Sequence, residues 1–391
     1  MTLRRVLIIG GGIAGPATAM ALRQAGIDAT VFEAYERTAD GVGAFLTLAP
    51  NGMDALRALD LHEVVRAAGI ETTRIRLTIG PDRPLGEASL VGERADGMTS
   101  LTLSRADLYM ALRDEAVRRG IPVEYGKRLV DFADGVARFA DGATAEGDLL
   151  VGADGLQSVV RTIIDPDAPA ARYVPLLNTG GFAVGVDAGL EPGVSKMMFG
   201  KRAFFGVLPS PDGEAWWFAN VAQRTESPPA ALAEITSDAW RARLIDLFAD
   251  DGDLPRRLIE ATPVIMPPWN TYDFPRVPTW HRDRMVIIGD AAHATSPAAG
   301  QGASMALEDA VVLARCLRDL PTDRALRAYE SLRRERVERV VRHGKRSGSA
   351  KALGPIGRVV LPALFKLMPT SDLRWMYDHH TDWNARVLEP V

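Results

Sequence analysis

The chain has one cysteine, Cys316, so an intrachain disulfide is excluded. That usage suits a reducing compartment, and a cytoplasmic protein is expected. Cys316 follows the apolar stretch Val311-Val312-Leu313-Ala314 and reads as a packed core thiol rather than a reactive one. No uninterrupted apolar run reaches the ~18 residues of a membrane helix, so no membrane span is expected. The start, Met1-Thr2-Leu3-Arg4-Arg5, runs straight into a strand and does not read as a signal peptide. Excess positive charge is also missing. With a formal net charge of −4, no global field recruits nucleic acid. There is no internal repeat and no low-complexity block. His379-His380 lacks partners at metal-ligand spacing, so no metal is expected.

What remains is the balance of a soluble globular protein, with 47% hydrophobic and 25% charged residues. At 391 residues the chain exceeds one ordinary domain and can bury a large core without covalent staples. The opening reads as strand, turn, helix, strand. Val6-Leu7-Ile8-Ile9 is a short apolar run suited to a buried parallel strand. A helix through Ala17–Ala25 ends at Gly26, and Ala29-Thr30-Val31-Phe32 is the next strand. Such a unit is a right-handed βαβ crossover. Further buried strands are expected at Leu149–Val151 and Met285–Ile288, with helices from Ser104 to Arg119 and from Gln301 to Leu317.

The middle of the chain differs. From Tyr173 to Phe274 it reads as strands with tight turns, Gly200-Lys201-Arg202 and Ser210-Pro211-Asp212-Gly213 among them. One helix, near Ala230 to Phe248, interrupts this meander, and Arg74–Ile79 should add a strand to it. The fold class expected is therefore α/β: a Rossmann-like domain with a mostly parallel sheet, an inserted antiparallel-sheet domain and a helical C-terminus. The boundaries expected are 1–72, 100–172 and 276–350 for the first, 73–99 and 173–275 for the second, and 351–391 for the last. The arginines of Arg333–Arg346 read as a solvated helix face, and the apolar segment Arg358–Phe365 as packing.

Three glycine-marked strand ends carry the chemistry. Gly10-Gly11-Gly12-Ile13-Ala14-Gly15 is a G-x-G-x-x-G between a strand and a helix, the context in which that pattern binds a dinucleotide. Gly10 allows the tight turn, Gly12 close approach of a pyrophosphate, and Gly15 close helix packing. Glu33, at the end of the second strand, can accept from ribose hydroxyls. Gly152-Ala153-Asp154-Gly155 and Gly289-Asp290-Ala291-Ala292-His293 follow two more strands. Ligands of such sheets sit beyond the carboxyl ends of the strands, so both aspartates are expected at one crevice. The loop through Pro297, Gly300, Gln301, Gly302 and Ala303 leads into a helix whose N-terminus could face an anionic flavin edge. His293 reads as a structural hydrogen-bonding group. No residue stands out as a general base.

With these motifs in order, the chain resembles the para-hydroxybenzoate hydroxylase-like (group A) flavoprotein monooxygenases. The similarity runs from residue 3 to about 345. It also takes in Val42-Gly43-Ala44, Pro50-Asn51, Ser104–Leu108, Asp154 through Arg161, and Asp309. The resemblance implies FAD, held by Gly10, Gly12, Ile13, Ala14, Gly15, Glu33, Ala34, Arg37, Gly43, Ala44, Arg105, Asp154, Gly289, Asp290, Pro297, Gly300, Gln301, Gly302 and Ala303. It implies NADPH or NADH as transient reductant and O2 as co-substrate. It also implies a flavin C4a-hydroperoxide that hydroxylates or epoxidises an aromatic or polycyclic small molecule. A monomer or homodimer is expected. Phe182, Phe205, Trp217 and Pro297 are the expected substrate contacts.

The sequence departs from the family's pattern at three places, one of them Ala303-Ser304 where many relatives carry asparagine after the Gly-Gln-Gly run. Ala34 replaces an arginine that often follows the ribose-binding acid, with Arg37 as the substitute, and Phe45 replaces a glycine often found after Gly43-Ala44. A flavin-dependent reductase, a halogenase or an FAD-holding protein without turnover would share the scaffold. The Trp-x-Trp-x-Ile-Pro pattern expected of a halogenase is not supplied by Trp216-Trp217 or Trp240.

Overall fold

The structure is a computed structural model, and it describes residues 3–36, 44–92, 96–351 and 373–388. Arg37, Gly43, the segment Arg358–Phe365 and most of 351–391 lie outside the described residues.

The βαβ opening forms as its pattern requires. Arg5–Ile9 is a strand whose last four residues are buried, Ala14–Gln24 is the helix, and Asp28–Phe32 returns parallel to the first strand. Gly26 takes a φ of +77°, the left-handed turn that ends the helix. Leu149–Gly152 pairs parallel on the other side of Arg5–Ile9, and Met285–Ile287 pairs parallel beyond it. Val123–Glu124 completes one edge of this six-stranded sheet, and the antiparallel strand His281–Arg282 completes the other. Helix Gly302–Asp319 packs against helix Ala14–Gln24 and covers this sheet, and Cys316 is wholly buried there. Burial raises its thiol to about 12, as expected of a core sulfur.

The meander is a seven-stranded sheet. Its spatial order is Trp269–Asp273, Arg172–Val184, Glu214–Ala222, Ala203–Pro209, Val194–Phe199, Arg74–Ile79 and Arg83–Ser89. Every pairing is antiparallel except that of Val194–Phe199 with Arg74–Ile79. The strand at Arg74–Ile79 therefore joins this sheet from a distant part of the chain. A small third sheet pairs Phe45–Leu48 and Ile70–Thr72 with Ser100–Ser104.

Two expectations need correction. The single helix near Ala230–Phe248 is two helices, Pro229–Ala233 and Ser237–Leu247, followed by a third at Asp253–Glu260. Thr236 restarts the chain as an N-cap, accepting the Ala239 N–H at 3.2 Å. The arginines of Arg333–Arg346 are also not one solvated face. Arg333 is 1% exposed and ion-paired in the interior. It lies at helical spacing from Arg336, Val337 and Val340, so this side of helix Thr322–Lys351 faces inward.

Candidate active site

The carboxyl ends of four neighbouring parallel strands meet at one edge. Gly10 N–H donates to Phe32 O at 2.8 Å, Ala153 N–H to Ile9 O at 2.8 Å, and Ile288 N–H to Gly152 O at 3.0 Å. Gly10, Glu33, Asp154 and Asp290 are thereby brought to the same edge of the sheet.

The glycine loop is shaped by what side chains could not occupy. At Gly10, φ is +111° and a Cβ would lie 2.3 Å from Ala153 O. A Cβ on Gly15 would lie 1.9 Å from Gly10 O, so helix Ala14–Gln24 can start only with glycine there. Gly12 is the opposite case: a Cβ would meet nothing within 4 Å, so its backbone borders an open cradle. Ile13, the helix's N-cap residue, supplies no side-chain acceptor, and the first-turn N–H groups point into that cradle. Glu33 stands over the loop, its Oε2 accepting Gly11 N–H at 2.6 Å and its Oε1 accepting Tyr35 N–H at 3.0 Å. A carboxylate keeps further lone pairs for ribose hydroxyls. Ile13, Ala14 and Ala34 sit around this loop as their positions in the chain require. The cradle fits the pyrophosphate and ribose of FAD.

Asp290 begins the short helix Asp290–His293 after Gly289, whose φ is +58°. Its side chain reaches solvent, yet protein walls surround it. That desolvation raises its carboxyl above the ordinary range, opposed by the charges of His293 and Arg105 and reinforced by Asp309. Arg105, exposed at the start of helix Arg105–Arg118, thus shares a field with Asp290, and its N–H donates to Ala44 O at 3.0 Å. The next loop makes a single 3-10 turn at Pro297–Ala299, and Gly300 takes a left-handed φ of +59° before helix Gly302–Asp319 starts. Pro297 and Gly300 are exposed, Gly302 and Ala303 half-buried, and Gln301 buried.

Asp154, at the same edge, is also tied into the chain that follows it. Its carboxylate accepts Ser158 Oγ at 2.5 Å, Val159 N–H at 2.8 Å and Val160 N–H at 3.1 Å. These bonds fix the start of helix Val159–Ile164. Arg161, from the same motif, donates to Ala291 O at 3.0 Å and to Leu156 O at 2.8 Å. The Asp154–Arg161 stretch therefore clamps the strand end that carries Asp290.

One layer behind, Glu308, Arg333 and Arg336, which sequence reasoning missed, join Asp309, His293 and Asn51 in a buried network. Asp309 accepts Gly289 N–H at 2.8 Å and pairs with His293 Nε2 at 2.6 Å through one oxygen, and accepts Arg333 Nε at 2.7 Å through the other. Glu308 accepts from Arg333, from Arg336 at 2.7 and 2.8 Å, and from Asn51 Nδ2 at 2.7 Å. Asn51 Nδ2 also reaches Gln301 Oε1 at 3.0 Å. Burial alone would raise both carboxyls, but the adjoining guanidiniums and His293 overcome it and hold each at about 2. The network fixes both cofactor-side loops from behind. Its sequence signal was the adjacent Glu308-Asp309 pair on an otherwise apolar helix.

The seven-stranded sheet has two faces. Phe182 and Trp216 are cross-strand partners on one, with Phe204 and Phe218 beside them. Phe205 and Trp217, expected as substrate contacts, point the other way. Their rings stack at 5.4 Å and 10°, Trp217 Nε1 donates to Thr262 Oγ1 at 2.7 Å, and both are buried against Phe248 and Leu258. Side chains alternate across a sheet, so one-residue neighbours take opposite faces. Phe182 thus stays with the aromatic face, while Phe205 and Trp217 belong to core.

Among the described residues no helix is long and apolar enough to cross a membrane, and no cluster of His, Cys, Asp or Glu could hold a metal.

Comparison with known proteins agrees with this geometry. The FAD binding domain family matches residues 4–344. An FAD-dependent urate hydroxylase of Klebsiella pneumoniae is 34% identical over 351 residues, covering 86% of this chain and 88% of the relative. The aurachin C monooxygenase/isomerase of Stigmatella aurantiaca is 33% identical over 366 residues, covering 88% of each. The crystal structure of Klebsiella pneumoniae HpxO with FAD and uric acid superposes with a TM-score of 0.80 at 27% identity, covering 96% of this chain and 95% of that one. The cradle, the walled aspartate and the extent of these matches lead to one conclusion: the chain belongs to the FAD-dependent aromatic hydroxylases, a flavoprotein monooxygenase family.

Proposed function

We propose that the protein hydroxylates a flat aromatic small molecule, taking electrons from NADPH or NADH and oxygen from O2. The observation that carries this reading is the junction of two surfaces. A cradle for FAD at the strand ends lies beside a sheet face lined by half-buried aromatic rings. Bound FAD supplies the redox chemistry, accepting hydride equivalents and activating oxygen.

The chain's own residues bind and orient. Gly10, Gly12 and Gly15 admit the pyrophosphate to the helix N-terminus, and Glu33 accepts from the adenosine ribose. Asp290 and Arg105 hold the polar chain between ribose and ring, and the Pro297–Gly302 loop borders the ring itself. Its first-turn N–H groups in helix Gly302–Asp319 favour negative charge on a reduced ring. Asp154 clamps the start of its own helix at the border of the glycine loop. The face with Phe182, Trp216 and Phe218 receives the substrate and keeps water from the reacting edge. Oxygen transfer of this kind does not require a protein base. A reducing compartment, the cytoplasm, suits the lone buried thiol.

The test is NAD(P)H consumption by the FAD-loaded protein across a panel of phenolic and polycyclic compounds, with product masses read under 18O2. Stimulated consumption with one labelled oxygen in the product is expected. Consumption without O2, or none with any compound, would favour a reductase or a protein that only holds FAD.

A further inference from the structure

Phe45 occupies the junction between the two surfaces. It follows Ala44, whose carbonyl is fixed by Arg105 N–H, and it pairs with Ser104 across the small third sheet. Its backbone therefore belongs to the cofactor side. Its ring reaches the substrate sheet: centroid distances are 5.7 Å to Trp216, 6.0 Å to Phe218 and 6.5 Å to Phe182. All four rings are half-buried, unlike the sealed Phe205–Trp217 pair on the opposite face. They form a partly open aromatic face rather than a closed core.

Among the described residues, the three central strands place no cation on this face. Its positions on the three central strands are Asn178, Gly180 and Phe182, Phe204, Gly206 and Leu208, and Trp216, Phe218 and Asn220. The amides are turned on one another and on the sheet: Asn220 Nδ2 donates to Asn178 Oδ1 at 2.7 Å, and Asn178 Nδ2 to Thr271 Oγ1 at 2.5 Å. A Cβ at Gly206 would lie 2.2 Å from the Phe218 ring, so glycine there lets that ring lie flat across the strand. The charge that does stand on this face is negative. Glu214 accepts the Trp216 indole N–H at 3.1 Å. A carboxylate on the substrate would lose its hydration against these rings and meet the negative Glu214.

Resting on the monooxygenase reading, we propose that Phe45 is a specificity-determining residue, and that with the aromatic face it selects a flat, uncharged ring system over an anionic one. The glycine that often stands at this position in the family leaves no ring to bridge the two surfaces. Here the ring supplies a face or an edge to the substrate, a contact that an aliphatic side chain of similar bulk does not reproduce.

The experiment uses the FAD-loaded protein and reads perturbation of the flavin absorbance spectrum. The titrants are 2-naphthol and 3-hydroxy-2-naphthoate, the same ring with and without a carboxylate. The wild type should bind the naphthol about tenfold more tightly or better. Phe45→Leu should weaken naphthol binding about threefold to tenfold, the size of one aromatic pair. Phe45→Tyr, which keeps the ring, should bind it within about twofold of wild type. FAD content is measured in each sample, so a variant that sheds cofactor is recognised. Equal or tighter naphthoate binding would overturn the proposal. So would no response to either titrant, or the same loss in the leucine and tyrosine variants. These titrations read binding alone. If they fail while aromatic-stimulated NAD(P)H oxidation persists, the Phe45 assignment falls and the monooxygenase reading stands.

Discussion

Arg333 donates to Asp309 at 2.7 Å across 24 residues of chain, and Asp309 passes that constraint to Gly289 N–H at 2.8 Å. A guanidinium on the last long helix thereby sets the backbone that presents Asp290. Replacing Arg333 with Met would leave Glu308 and Asp309 buried with too few partners. Breaking such a pair costs about 3–5 kcal/mol. Urea unfolding of the FAD-loaded protein should show a midpoint lowered to match, with FAD released at lower denaturant than in the wild type.

The same network sets an acid limit. Glu308 and Asp309 are held at about 2 in the fold, against 4.5 and 3.8 for the unperturbed groups. A depressed carboxyl contributes its full stabilisation above its unfolded value and loses it as pH falls toward its folded value. The network's contribution should therefore be constant above about pH 5 and decline from about 4.5 toward 2. Unfolding midpoints measured across that window should fall more steeply for wild type than for a Glu308→Gln variant.

Asp290→Ala removes a charged acceptor from the cofactor's polar chain. Charged hydrogen bonds are worth about 1.5–3 kcal/mol, so FAD affinity should fall roughly tenfold to a hundredfold. Titration of apoprotein followed by flavin fluorescence measures this. Unchanged affinity would remove Asp290 from the cofactor site.

Gly12 and Gly15 should separate binding from folding. Gly15→Ala forces a methyl 1.9 Å from Gly10 O, so the first crossover must distort and the protein should melt much lower or express poorly. Gly12→Ala meets no protein atom within 4 Å, so the apoprotein should melt like wild type while binding FAD weakly. Melting curves with and without FAD distinguish the two.

Trp216 and Trp217 are neighbours in the chain with opposite fates. Trp217→Ala empties a site buried between Phe205 and Thr262 and should cost about 3–5 kcal/mol in stability. Trp216→Ala should cost far less stability and instead weaken aromatic ligands, read as flavin spectral shifts.

Much of the fold could be read because its signals are local. Val6–Ile9, Gly26 and Ala29–Phe32 carry the crossover in consecutive residues, and Ser104 caps its helix as its position suggests. The shape of the glycine loop was legible for the same reason, since Gly10 and Gly15 each stand where the fold leaves no room for a side chain. What stayed hidden depends on tertiary contact. Nothing local separates Trp216 from Trp217 until the register with Phe182 is known. Nothing marks Arg333 as buried until helix Gly302–Asp319 brings Glu308 to it. Asp154 sits at the right strand end, and only its bonds to Ser158 and Val159 reveal a clamp.

The sealed position of Cys316 has a use at the bench. Its thiol is wholly buried and raised to about 12, so alkylating reagents should leave the native chain unmarked. A cysteine introduced at exposed Val184 on the seven-stranded sheet, or at exposed Val130, would then be the one reactive sulfur on the molecule. A fluorophore or spin label attached there would report distances from a single chosen point in an otherwise wild-type background.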